Sequence, residues 1–201
     1  MSRIFPKESF SNMNRFLFII AAVLFSVAGT VQSQTSIKAE STYHQGGITI
    51  VSPNDSGWVR LKTENGETAF EKRTDSDKFA AGARIIQTKP FETDKDRLPG
   101  WEALKNEEFS KFKQDHLHFN YTVFKGVMCL RYDAFFPLEK TPSNRFAYFI
   151  VTGYLVPVPN SNNSAFQIEF SDYSNHRGFT EDQHALAEEF FEKLAFPKKP
   201  K

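Results

Sequence analysis

The chain has 201 residues, among them 22 phenylalanines and a single cysteine, and carries a formal net charge of +1. So weak a charge excludes the strong field that draws nucleic acid or anionic lipid. One cysteine cannot close an internal disulfide, so the fold must rest on packing, and 17 of the phenylalanines lie after residue 33 to supply it.

The first element in chain order reads as an export signal. Arg15 supplies a positive charge, Phe16 to Ala28 is apolar apart from Ser26, and Val31 and Ser33 stand three and one positions before Gln34. This order predicts a signal peptide over 1–33, cut between Ser33 and Gln34. The apolar run is 13 residues long. A spanning helix wants about 20, so a retained membrane anchor is the weaker alternative. Lipid attachment needs a cysteine at the cut, and the one cysteine is Cys129. Met13 is an alternative start, two residues ahead of Arg15. Loss of residues 1–33 removes Arg3, Lys7, Arg15 and Glu8 and turns the charge from +1 to −1. What remains has the length of one domain, exported to the periplasm or beyond.

Polar residues 34–47, ending in Gly46-Gly47, read as a linker, and 48–197 as a single domain. Ile48 to Val51 reads as a short strand that stops before Pro53. Trp58 to Glu64 and Glu67 to Arg73 flank Asn65-Gly66, a strong hairpin signal. A two-residue turn there sets Leu61 opposite Phe70 and Arg60 opposite Glu71. Phe79 to Gln87 continues as a strand, whose small residues Ala80 to Ala83 allow close approach. Lys89 to Gly100 is charged, holds Pro90 and Pro99, and reads as a loop. Trp101 to Gln114 follows as a helix, with Trp101, Leu104, Glu108 and Phe112 in line and Phe109 on the flank.

Leu117, Phe119, Tyr121 and Val123 alternate with His118, Asn120 and Thr122; Met128, Leu130, Tyr132 and Ala134 alternate with Cys129, Arg131 and Asp133. A turn at Lys125-Gly126 matches apolar with apolar across this pair, whereas an odd-length loop sets polar against apolar. Phe146 to Val156 is apolar nearly throughout and suits a central strand covered on both faces. Pro157 to Ser164 reads as a loop. Phe166, Ile168 and Phe170 alternate with Gln167 and Glu169, the pattern of a half-exposed strand. Thr180 and Gln183 form a capping box. The helix behind it carries Leu186, Ala187, Phe190, Phe191 and Leu194 as its apolar stripe, and Pro197 ends it. Lys198, Lys199 and Lys201 make a short, solvated basic tail over 198–201.

The hairpin register assembles one constellation. Its polar face pairs Thr122 with Cys129, Asn120 with Arg131, and His118 with Asp133. Cysteine, histidine and aspartate on one face are the material of an activated nucleophile. Cys129 and His118 nevertheless lie four rungs apart, roughly 13 Å, so no catalytic residue is assigned and Cys129 is expected to pack under a helix. His116 and His118, with Asp133 as a third ligand, are the candidates for a metal site. No fourth ligand is evident, and no metal or cofactor is assigned. His44, His176 and His184 read as surface or cap residues, and Glu107-Glu108 and Glu188-Glu189 as solvated helix faces. There is no Gly-rich phosphate loop, serine elbow or zinc helix motif. Asn54, Asn120 and Asn162 each head an N-x-Ser/Thr pattern, which matters in a glycosylating pathway.

Trp58 after Gly57, the stretch Gly126 to Tyr132, Gly153-Tyr154 with Pro159, Tyr173-Ser174 and Arg177-Gly178 before a Phe-rich helix together resemble a group of small exported bacterial proteins, many of them lipoproteins, that have no established activity. The order of elements is also similar to the PsbP-like fold, shared with a Ran-binding nuclear import factor. The resemblance spans roughly Gly57 to Phe196. It implies an α+β domain, an antiparallel sheet flanked by helices. Two departures stand out. Lipoprotein members carry a cysteine at the cut, and members often carry a second cysteine where Val156 stands here, so the disulfide from Cys129 that the resemblance implies is lost.

These readings point to an exported binding or scaffold module that engages a protein partner, rather than an enzyme. Its surface is expected on edge strands, on the 157–163 loop or on 173–178. A small apolar ligand, motivated by the phenylalanines, is the alternative, followed by an enzyme of unassigned class.

Overall fold

The computed structural model describes residues 35–36, 41–53, 57–61, 67–74, 77–139, 141 and 145–196. The signal peptide, Ser33, Gln34, Asn54, Asn65-Gly66, Pro197 and the basic tail lie outside the described residues. Ten strands and two helices are described. They are β1 (Thr35–Ser36), β2 (Thr42–Gln45), β3 (Ile48–Val51), β4 (Val59–Leu61), β5 (Thr68–Arg73), β6 (Lys78–Gln87), α1 (Asp94–Phe109), β7 (His116–Phe124), β8 (Val127–Pro137), β9 (Tyr148–Pro157), β10 (Ser164–Ser174) and α2 (Glu181–Glu192). Eight strands form one sheet in the order β1-β4-β5-β6-β10-β9-β8-β7, and β2 and β3 form a separate hairpin. Every pairing is antiparallel. The fold is α+β.

Each face of the sheet carries a helix. Tyr132 lies opposite Gly153, and the neighbouring Arg131 lies opposite Tyr154, so Tyr132 and Tyr154 point to opposite faces. Phe109 of α1 packs 5.8 Å from the Tyr132 ring and 5.3 Å from Phe136. Phe191 of α2 meets Tyr154 edge-on at 5.0 Å. The α2 face holds the larger core, with Phe70, Phe166, Ile168, Phe170, Cys129, Phe190 and Phe191 all buried. Its rings fill space against one another, as Trp58, Phe79 and Phe170 do at 6.1–6.4 Å.

The β7–β8 hairpin has the register its pattern predicts, from Leu117 opposite Ala134 to Val123 opposite Met128. Lys125 and Gly126 both take positive φ, 52° and 81°, the primed-turn geometry that matches strand twist. Lysine is a costly choice there. Its Nζ donates to the Glu192 carbonyl at 2.5 Å, at the electronegative end of α2, and this contact ties the turn to the helix.

Several expectations are corrected. The 34–47 stretch is not a linker throughout: Thr35–Ser36 pairs with β4, and Thr42–Gln45 pairs with β3. The β4–β5 register is shifted by one, with Leu61 opposite Ala69 and Arg60 opposite Phe70. That shift places Arg60 and Phe70 on one face under the β2–β3 hairpin, where the Tyr43 ring lies 5.3 Å from Phe70 and 4.5 Å from the Arg60 guanidinium. Helix α1 begins at Asp94, not Trp101, and ends at Phe109. Thr93 caps it by accepting from the Asp96 N–H, and Pro99 falls in its second turn, where it removes one ladder bond. Its buried stripe is Leu98, Trp101, Lys105 and Phe109. Finally, β10 is not half-exposed: Gln167, Glu169, Ser171 and Asp172 are buried with its apolar residues.

Candidate functional site

The polar face read from the hairpin register assembles with its rungs as expected, His118 opposite Asp133, Asn120 opposite Arg131 and Thr122 opposite Cys129. Its members then divide. Cys129 is fully buried among the residues under α2. Its Sγ donates to the Thr122 carbonyl at 3.4 Å, and burial pushes the thiol up to about 11. His118 is exposed and four rungs away, so the two share a face without sharing a contact. Arg131 is the centre of this face. Its Nη1 donates to the Tyr154 hydroxyl at 3.0 Å and its Nη2 to Glu188 of α2 at 2.9 Å, with Asp133 at 3.8 Å. Asp133 is thus drawn toward Arg131. His116 stacks on Phe135 at 4.7 Å and lies 6.4 Å from His118. Among the described residues no three His, Cys, Asp or Glu side chains are grouped to hold a metal ion.

A second polar cluster lies on the opposite face and is buried. Lys105, with no exposed surface, projects from the apolar stripe of α1. Its Nζ meets Glu108 at 2.8 Å and Glu169 of β10 at 3.3 Å, between the rings of Phe109 and Tyr132 at 4.3 and 4.4 Å. The Tyr132 hydroxyl donates to the same Glu169 oxygen at 2.6 Å. It gets there by lying across Gly153, where a Cβ would fall 2.8 Å from that hydroxyl. Next along the sheet, Arg84 of β6 donates through Nε and Nη2 to Gln167 at 3.2 and 3.0 Å. Burial alone would push Glu169 up; Lys105 and then Arg84 outweigh it and hold the carboxyl below its ordinary value. Burial, followed by the Glu169 charge, raises the Tyr132 phenol well above its own. This is an ion-pair network beneath a helix, extended by Glu67 at 3.9 Å from Arg84, and its geometry is that of a structural lock. The sequence reading missed it because Gln167 and Glu169 sit in a strand pattern that also fits a solvated face. Lys105, at i+4 from Trp101 and i−4 from Phe109, was the available signal.

The sheet's two ends differ. At one, β1 has two residues; at the other, β7 has nine and is the terminal strand of the order. Large apolar side chains are exposed at the hairpin's distal half: Tyr121, Val123 at 61% and Met128. The Tyr121 hydroxyl donates to Glu102 of α1 at 2.5 Å, a bond that pushes the phenol up to about 12 and holds this half of the edge against the helix.

No protein-family model matches the chain, and no curated protein matches it. Among solved structures it is similar to a protein from Bacteroides thetaiotaomicron VPI-5482, at 13% identity and a TM-score of 0.45, over 81% of this chain and 50% of that one. The chain thus spans half the length of the solved structure it matches.

Proposed function

We propose that the protein is an exported binding module that engages a protein chain through the β7 edge, on a PsbP-like α+β scaffold. The observation that carries this reading is the edge itself. Nine consecutive residues, His116 to Phe124, contain no Lys, Arg, Asp, Glu or Pro, although edge strands are ordinarily blunted by such residues. An extended segment adding to this edge gains main-chain hydrogen bonds, and the exposed Tyr121 and Val123 give it apolar contacts on alternate positions, with Met128 of β8 behind Val123. A continuous antiparallel sheet with a helix on each face supports the PsbP-like assignment. The near-neutral charge favours a protein over a nucleic acid, and the order of residues in 1–33 is the ground for export. The fully buried phenylalanines each pack against another aromatic ring, which turns their excess toward packing and away from an apolar ligand.

The test is site-specific photocrosslinking from position 123 in the exported fraction. The expected result is a discrete adduct with a protein chain, this chain included, which is lost when Asn120→Lys places a charge on the edge. Absence of any adduct overturns the reading.

A further inference from the structure

We propose that the chain bound at the β7 edge is a second copy of this protein, giving a two-fold symmetric dimer with one continuous sheet. The inference rests on the edge-binding reading and names its partner. It follows from the hydrogen-bond parity of the hairpin. A two-residue turn at Lys125-Gly126 makes Phe124 and Val127 a hydrogen-bonded pair, so with the observed register the even residues of β7 bond inward to β8. Leu117, Phe119, Tyr121 and Val123 therefore turn their N–H and C=O groups outward.

An antiparallel copy of β7 centred on Asn120 uses just those groups. It sets Leu117 opposite the second copy's Val123 and Phe119 opposite its Tyr121, each a pair whose backbone groups face each other. It also sets His118 opposite Thr122, and Asn120 opposite Asn120 on the two-fold axis. This is the one register that pairs all nine residues. It matches apolar with apolar on the α1 face and polar with polar around the axis, and it opposes no like charges, because the strand carries no acidic, lysine or arginine side chain. Cross-strand pairs of this kind are what stabilise a sheet. Among the described residues the opposite edge strand has two residues, and pairing β7 with β7 uses the same edge of both copies, so the two-fold assembly closes at two.

The experiment is sedimentation velocity of the full chain over a concentration series up to about 1 mM. It is run for the natural protein, for Asn120→Lys, for Asn120→Asp and for an equimolar mixture of the two variants. The expected result is a concentration-dependent dimer for the natural chain. Each variant alone associates at least about tenfold more weakly, with a cooperative thermal melt that matches the natural chain's at concentrations where both are monomeric showing that it folds, and the mixture regains the dimer because opposite charges meet on the axis. A natural chain that stays monomeric, a dimer indifferent to both substitutions, or unlimited aggregates overturns the proposal. A monomer that still captures a different protein at position 123 overturns the second copy alone and leaves the edge-binding reading standing.

Discussion

At the scale of single residues, Lys105 shows how a charge is kept inside a protein of this size. Its ammonium group is held by two carboxylates and two aromatic faces, and Glu169 in turn receives the Tyr132 hydroxyl. A buried pair contributes little beyond what apolar residues of equal volume would, yet losing one partner strands the other. Lys105→Met is therefore expected to cost about 3–5 kcal/mol in urea denaturation. Adding Glu169→Gln restores part of that loss, because the new amide oxygen still accepts from Tyr132 while the uncompensated charge is gone. A double variant at least as unstable as the single one would show that packing, not charge pairing, explains the site.

At the scale of elements, α2 is fixed to the sheet through Gln183. The Thr180 side chain accepts from the Gln183 N–H and the Gln183 side chain accepts from the Thr180 N–H, the capping box read from the sequence. The same side chain spends its Nε2 on Asp172 at 2.8 Å and Asp77 at 3.2 Å. Burial, and then the Asp77 charge, push Asp172 from 3.8 up to about 7. The folded state thus holds a proton that the unfolded chain has released, and the stability this confers is full below pH 3.8 and lost as pH rises through about 7. The urea midpoint is expected to fall between pH 5 and pH 8. Asp172→Asn, whose amide oxygen still accepts from Gln183, is expected to flatten that fall, as equilibrium unfolding at the two pH values will show. An unaltered slope in the variant would remove Asp172 as its source.

The elements also show what was legible beforehand. The β7–β8 register, the box at Thr180 and the apolar stripe of α2 were readable because each is set by residues close in sequence. Glu169 and Lys105 are 64 residues apart, and Arg84 and Gln167 are 83 apart, so nothing local marks those polar side chains as buried. The start of α1 was hidden by Pro99, which lies beyond the first turn, where proline is ordinarily tolerated. The observed β4–β5 register brings Arg60 and Phe70 together under Tyr43, a residue outside both strands that no local pattern links to them.

At the scale of the whole molecule, a helix lies on each face of the sheet with β7 as its terminal strand among the described residues, and the single cysteine reports on that arrangement. Cys129 lies in β8, one strand in from the β7 edge, fully buried with its thiol pushed up to about 11. Access for a thiol probe then requires that the hairpin and α2 separate, which amounts to opening the domain. Labelling of the folded chain is expected to be slower than that of the urea-unfolded chain by a factor on the order of 1,000 or more, and to accelerate with urea in step with the unfolded fraction. The same measurement senses association. A dimer through β7 stabilises the folded form by mass action, so protection is expected to rise with protein concentration in the natural chain and to stay constant in Asn120→Lys. Rapid labelling without urea would mean that β8 opens locally, and the hairpin would then be too mobile to act as a template for a second strand.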